Sequence, residues 1–114
     1  MMKKSAPDEG LAYVIDFESH FSGRQDVDVN YLFIIEGKKK PLCIQIHKGE
    51  LVCHYGQQEH TDVYVKLTPE VLEAIVGGRM TFQRAFMTGE MSAKGNFKTL
   101  RQLDELFTFT APQA

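Results

Sequence analysis

The feature that most constrains the fold is a change in hydrophobic spacing at Thr68. Before this residue, apolar and polar side chains alternate over four short segments, which is the pattern of β-strands with one buried face. After it, apolar side chains recur every three or four residues, as they do on the buried face of an α-helix. Strands followed by helices predict an α+β domain in which helices cover one face of a sheet.

The four predicted strands are separated by turn-forming residues. They span residues 27–36, 42–47, 51–55 and 62–67. The first has apolar residues on both faces at Leu32 and Ile34, which predicts a central strand covered on both sides in its middle. Lys48-Gly49 predicts a two-residue hairpin turn. Since consecutive strands commonly lie side by side, we expect three or four antiparallel neighbours.

Apolar spacing and capping residues predict helices both before and after the strand region. Leu11–Phe21 has near-helical apolar spacing and predicts a short amphipathic helix. Thr68-Pro69-Glu70 supplies a hydroxyl cap, a first-turn proline and an acid, which together predict a helix that ends at Gly77-Gly78. Thr81 is expected to cap a second short helix that ends at Gly89.

A late strand and a last helix complete the prediction. Met91–Lys94 is expected to form the fifth strand, and Gly95-Asn96 is expected to begin the helix. The apolar face of this helix comprises Phe97, Leu100, Leu103, Leu106 and Phe107. We predict a disordered tail over residues 1–10 and a single domain over residues 11–110.

Composition and charge exclude several classes of protein. The 114-residue chain has a net charge of −2, which argues against a nucleic-acid binder. The run Lys38-Lys39-Lys40 is interpreted as a solvated turn, with a weak, transient membrane-surface contact as the alternative. The sequence has neither a membrane-spanning stretch nor a signal-peptide pattern, and its two cysteines are too few for a disulfide framework. We therefore expect a cytoplasmic protein with reduced thiols.

Catalytic and metal-binding motifs are absent from the sequence. It contains no Gly-x-Ser-x-Gly, phosphate-loop, Cys-x-x-Cys or His-Glu-x-x-His pattern, so we predict no enzyme activity, no catalytic or metal-ligating residues and no cofactor. The one alternative to this prediction is a thiol beside an imidazole on neighbouring strands. A two-residue turn at Lys48-Gly49 places Cys43 opposite His54, which would suit a reactive thiolate or half a metal site. A one-residue change in the loop would pair Cys43 with Cys53 instead, and a packed thiol is the favoured interpretation.

A glycine-punctuated pattern in the last third resembles the sterol carrier protein 2 (SCP2) family. Its elements are Gly78-Arg79, Ala85-Phe86-Met87, Gly89, Glu90-Met91 and Gly95-Asn96. The resemblance covers roughly Val27–Phe107. It implies a five-stranded mixed, mainly antiparallel sheet with helices on one face, enclosing an apolar tunnel. It also implies a non-catalytic carrier of sterol, fatty acid, acyl-CoA or phospholipid.

Within this resemblance, ten apolar residues are the candidates for lining the lipid site. They are Leu72, Ile75, Val76, Phe82, Phe86, Met87, Met91, Leu100, Leu103 and Phe107. Ordinary core packing is the alternative for each of them. Arg79, Arg84 or Lys94 is the expected partner of a lipid head group. The alternative function is an interaction or dimerisation module with the same fold and a filled core.

Two departures from the family pattern change what we expect of the tunnel wall and of the ligand. The N-terminal helix is short, so one tunnel wall is expected to be thin or supplied by a second subunit in a homodimer. The C-terminal Pro112-Gln113-Ala114 lacks a peroxisomal address. We therefore expect a bacterial or archaeal cytoplasmic protein whose ligand is a fatty acid, acyl-CoA or phospholipid rather than a sterol.

Overall fold

The computed structural model describes residues 13–109 as a five-stranded sheet with short helices. The strands are β1 (Asp28–Ile35), β2 (Leu42–His47), β3 (Glu50–Tyr55), β4 (Val63–Leu67) and β5 (Met91–Gly95). The helices are α1 (residues 13–19), α2 (Pro69–Val76), α3 (Phe82–Met87), α4 (Phe97–Arg101) and α5 (Leu103–Leu106). The predicted tail, residues 1–10, lies outside the described residues, as does the start of the first predicted helix.

The sheet has the order β3-β2-β1-β4-β5 and is mixed. All neighbouring strands are antiparallel except β1 and β4, which are parallel. The predicted α+β class and five-stranded, mainly antiparallel sheet are therefore confirmed. Of the three or four antiparallel neighbours expected, the structure has three, β1 to β3. The fourth strand instead crosses back to β1 and pairs with it in parallel, where Asp62 accepts a hydrogen bond from the Asn30 backbone N–H at 2.8 Å.

The helix-facing side of β1 is buried, and its opposite side is open. Tyr31 and Phe33 are both fully buried, whereas Leu32 is only half-buried and Ile34 is 39% exposed. The expectation that this strand is covered on both sides was wrong for the described part of the chain. The apolar side chains of Leu32 and Ile34 are not covered by a second layer of helices, because the helices of residues 13–109 pack on the opposite face of the sheet.

Local capping explains where the helices begin. The hydroxyl of Thr68 accepts a hydrogen bond from the Val71 N–H at 3.2 Å, as predicted for the start of α2. Thr81 does the same for the Arg84 N–H at 3.0 Å at the start of α3. Asn96 caps α4 through the Lys98 N–H at 2.9 Å. These bonds satisfy donors that the first turn of a helix leaves without a partner.

The single last helix of the prediction is two helices with a break at Gln102. The Gln102 N–H bonds to the Thr99 carbonyl at 3.1 Å, which is a tightened, three-residue turn. Phe107 lies beyond the helices and forms an antiparallel bridge with Phe21. The break turns α5 so that Asp104 reaches the start of α3, where it binds the Phe82 N–H at 2.8 Å.

Candidate functional site

An apolar cleft opens between α3 and α4. Its volume is about 180 Å³, and its lining comprises Phe82, Gln83, Phe86, Met87, Phe97, Leu100 and Arg101. The rings of Phe86 and Phe97 form one wall, with centroids 5.6 Å apart. Met87 is 74% exposed and Phe97 is 55% exposed, so both stand at the mouth. The cleft can accept an apolar group that enters from the surface.

A wider, open groove of about 500 Å³ adjoins this cleft and shares Gln83 and Met87 with it. Arg79 and Arg84 line the groove, and Arg101 lines the cleft. Within residues 13–109, none of these three arginines forms an ion pair. Their guanidinium groups can therefore offer planar, bidentate donors to a carboxylate or phosphate.

Aromatic rings fill the interior next to the cleft. Phe17 lies at the centre, with its ring centroid 5.4 Å from that of Phe33 and 4.9 Å from that of Phe107. Phe109 packs against Phe17 at 5.5 Å, and Phe82 packs against Phe33 at 5.9 Å. Phe82 is thus shared between this cluster and the cleft. The family resemblance implies a tunnel between the sheet and the helices, but the part of that space around Phe17 is filled by these rings.

Two polar contacts hold the cleft helices to the rest of the molecule. The Asp104 carboxylate accepts hydrogen bonds from the Phe82 and Gln83 N–H groups at 2.8 and 2.9 Å. The buried Tyr31 hydroxyl donates to the Thr99 carbonyl at 2.6 Å. Burial raises the pKa of Tyr31, and the Asp62 charge adds to that shift. The phenol therefore remains a neutral donor that connects β1 to α4.

The ten predicted lining residues fall into different surroundings. Phe82, Phe86, Met87 and Leu100 line the cleft. Ile75 and Phe107 border a cavity of about 30 Å³, and Val76 borders a polar groove near α1. The other three, Leu72, Met91 and Leu103, are buried in the core. The structure thus brings four of the ten together at one opening.

The three residues expected to contact a lipid head group also lie in two different places. Arg79 and Arg84 lie beside the cleft, whereas Lys94 borders a hollow with Ile34 and Tyr64 elsewhere on the sheet. Phe97 and Arg101 were not among the predicted site residues. Phe97 precedes Leu100 by three residues on one helix face, so the spacing could have identified it.

The Cys43–His54 pairing has the predicted register but not the chemistry of a thiolate. The two residues are cross-strand partners in β2 and β3, as the Lys48-Gly49 turn predicted. Cys43 is fully buried, its thiol donates to the Gly56 carbonyl at 3.6 Å, and burial raises its pKa. A reactive thiolate requires the opposite shift. The described residues hold no group of three His, Cys, Asp or Glu side chains suited to a metal ion.

No helix within residues 13–109 has both the length and the apolar character needed to cross a bilayer.

Comparisons with solved structures give the same fold. A ubiquinone synthesis protein, UbiJ-SCP2, is 13% identical, with 93% of this chain and 92% of that chain covered and a TM-score of 0.63. Palmitated SCP2L2 from Aedes aegypti is 18% identical, with 91% and 93% covered and a TM-score of 0.63.

A third similar structure is much longer than this chain. The stereoselective inverting sec-alkylsulfatase Pisa1 from a Pseudomonas species is 23% identical over 77% of this chain, with a TM-score of 0.66. The chain spans only 14% of the sulfatase. At this level of identity the likeness shows a shared fold.

Sequence comparison gives the family. Among curated proteins, none matches the chain. The model of the SCP-2 sterol transfer family matches residues 23–108, which include all five strands and the helices α2 to α5. Family and fold together imply lipid binding or transfer. The chain belongs to the SCP-2 sterol transfer family.

Proposed function

We propose that this protein is a non-catalytic carrier that holds the acyl chain of a fatty acid, acyl-CoA or phospholipid between its sheet and helices. The observation that supports this function best is the cleft between α3 and α4. Its lining is apolar apart from Gln83 and Arg101, and it opens to the surface at Met87 and Phe97. We place the carrier in the cytoplasm, where free cysteines such as Cys43 and Cys53 are usual.

The size of the cleft implies that the helices move when ligand enters. Its volume of about 180 Å³ is below the roughly 300–1,000 Å³ of ordinary small-molecule pockets. Outward movement of α3 and α4 would extend the cleft past Phe82 towards the aromatic cluster. Each buried ligand CH₂ contributes about 0.8 kcal/mol, which offsets the cost of that movement.

The arginines give the carrier a place for an anionic head group. Arg79 and Arg84 border the groove that adjoins the cleft, and Arg101 borders the cleft itself. A carboxylate or phosphate at this position would leave the acyl tail in contact with Phe86 and Leu100. We therefore assign the head group to these arginines rather than to Lys94.

The test is binding of a fluorescent fatty acid by delipidated protein, together with mass spectrometry of lipids extracted from the purified protein. We expect binding, co-purified lipid, and binding weakened about tenfold or more in Phe86→Trp, because the larger ring fills the cleft. Val52→Trp is the control, since Val52 is 50% exposed on the other face of the sheet. Clean mass spectra together with no fatty-acid binding would refute a carrier.

The filled interior favours a second candidate, an interaction module. Phe17, Phe33 and Phe82 leave little free space near the sheet, while Met87 and Phe97 remain exposed. Such a module would dimerise or dock onto an enzyme through these side chains. It would bind no fatty acid, and sedimentation velocity would detect a dimer that Met87→Gln/Phe97→Gln abolishes.

A further inference from the structure

One surface of the molecule combines exposed apolar side chains with unpaired cations. We define this arginine face as Arg79, Arg84, Met87, Phe97 and Arg101. Met87 and Phe97 are the most exposed large apolar residues of α3 and α4, at 74% and 55%. Among residues 13–109, no carboxylate lines the cleft or the groove that contain these five residues.

The carboxylates near the arginine face have other partners. Asp104 binds the two N–H groups at the start of α3. Glu90 accepts a hydrogen bond from the Thr88 hydroxyl at 3.0 Å. Both carboxylates keep their charge, but the three arginines outnumber them, so the face carries an excess of positive charge on a chain whose net charge is −2. This separation of charge selects an anionic partner for one side of the protein.

We propose that the arginine face docks the protein onto an anionic lipid leaflet, with Met87 and Phe97 inserted between head groups. Apolar side chains flanked by cations match such an interface, because insertion and attraction to anionic lipids act together. The inference rests on the proposed function, since docking would place the cleft mouth against the leaflet from which an acyl chain is drawn.

The charge test is co-sedimentation of the full chain with vesicles. The protein is expected to sediment with vesicles of phosphatidylcholine and phosphatidylserine and not with phosphatidylcholine alone. Each arginine changed to glutamine should weaken binding about fivefold, so Arg79→Gln/Arg84→Gln/Arg101→Gln should lose about a hundredfold. The control Lys38→Gln/Lys39→Gln/Lys40→Gln removes equal charge from the β1–β2 turn and should bind like the unmodified protein.

The insertion test uses the absence of tryptophan from the sequence. Phe97→Trp introduces a single reporter that should shift its emission to the blue on binding and be quenched by lipids brominated along the acyl chain. Tyr64→Trp is the control, because Tyr64 is 43% exposed on the open sheet face. Its emission should not change.

The outcomes separate this inference from the proposed function. Failure to sediment with anionic vesicles, in a protein that binds fluorescent fatty acid in solution, overturns the docking surface and leaves the carrier intact. Equal losses in the arginine and lysine variants also overturn it, since binding would then reflect general charge. Vesicle binding without quenching of the tryptophan at position 97 overturns the inserted geometry.

Discussion

Phe82 contributes both to the aromatic core and to the lining of the surface cleft. Its buried ring packs against Phe33 and Phe17, with centroids 5.9 and 6.4 Å away. The same residue lines the surface cleft. A shift of Phe82 would therefore change the core and the cleft together, and the tight packing of interiors makes such a shift discrete rather than gradual.

The two thiols should react slowly in the native protein. Burial raises the pKa of Cys43 and raises that of Cys53 to about 12, with the Glu18 charge adding to the second shift. The reactive thiolate is therefore scarce at neutral pH, and alkylation by iodoacetamide should be about a hundredfold slower than in the unfolded chain. Mass spectrometry of timed samples measures the rates.

The same experiment tests the alternative thiol chemistry. Fast native alkylation of Cys43, together with a rise in melting temperature on addition of zinc, would contradict the packed-thiol interpretation. It would support a Cys43–His54 site instead.

At the scale of elements, the helix starts were predictable and the break at Gln102 was not. Thr68, Thr81 and Asn96 cap helices within their own next turn, so local sequence suffices to locate them. The break accompanies the contact of Asp104 with the start of α3, which joins residues distant in the sequence. Tertiary contacts of this kind override the local apolar spacing that suggested one continuous helix.

Removing the Asp104 carboxylate should destabilise the protein by about 1–3 kcal/mol, because the Phe82 and Gln83 N–H groups at the start of α3 lose their charged acceptor. Asp104→Ala tests this in urea unfolding. The matched control is Glu105→Ala on the same helix, which removes an exposed ion pair with Arg24 at 2.6 Å and should cost less than about 1 kcal/mol. Equal losses in the two variants would show that Asp104 has no special role.

At the scale of the whole molecule, stability should fall at alkaline pH. The pKa of Cys53 rises from 9.0 to about 12 on folding, and that of Tyr31 rises from 10.0. Above pH 9 the unfolded chain therefore loses protons that the folded chain keeps. The free energy of unfolding falls by at most about 1.4 kcal/mol per pH unit for each such group.

Urea unfolding at a series of pH values from neutrality to pH 10 measures this slope. Cys53→Ser should reduce the slope between pH 9 and 10, where the Cys43 thiol, whose pKa burial also raises, still contributes. An unchanged slope in Cys53→Ser would contradict the assignment to that thiol.

The sequence predicted more of the fold than of the site. Alternation predicted the first four strands, Met91–Lys94 was expected as a short fifth strand, and the turn at Lys48-Gly49 predicted the register of β2 and β3. Alternation does not say which strands are neighbours, so the parallel pairing of β1 and β4 was missed. Nor does apolar spacing distinguish a residue that lines a cleft, such as Phe86, from one that fills the core, such as Leu72.

The sheet order also has a consequence for how the chain folds. Tyr31 of β1 pairs with Ile44 in the strand that follows and with Val63 much later in the sequence. The meander of β1, β2 and β3 closes short loops and can form first, whereas β4 must bring together distant segments. The half of the chain that contains the cleft then joins last. We expect this half to open at the lower free energy in the native state as well, which would let a lipid enter while the meander stays folded.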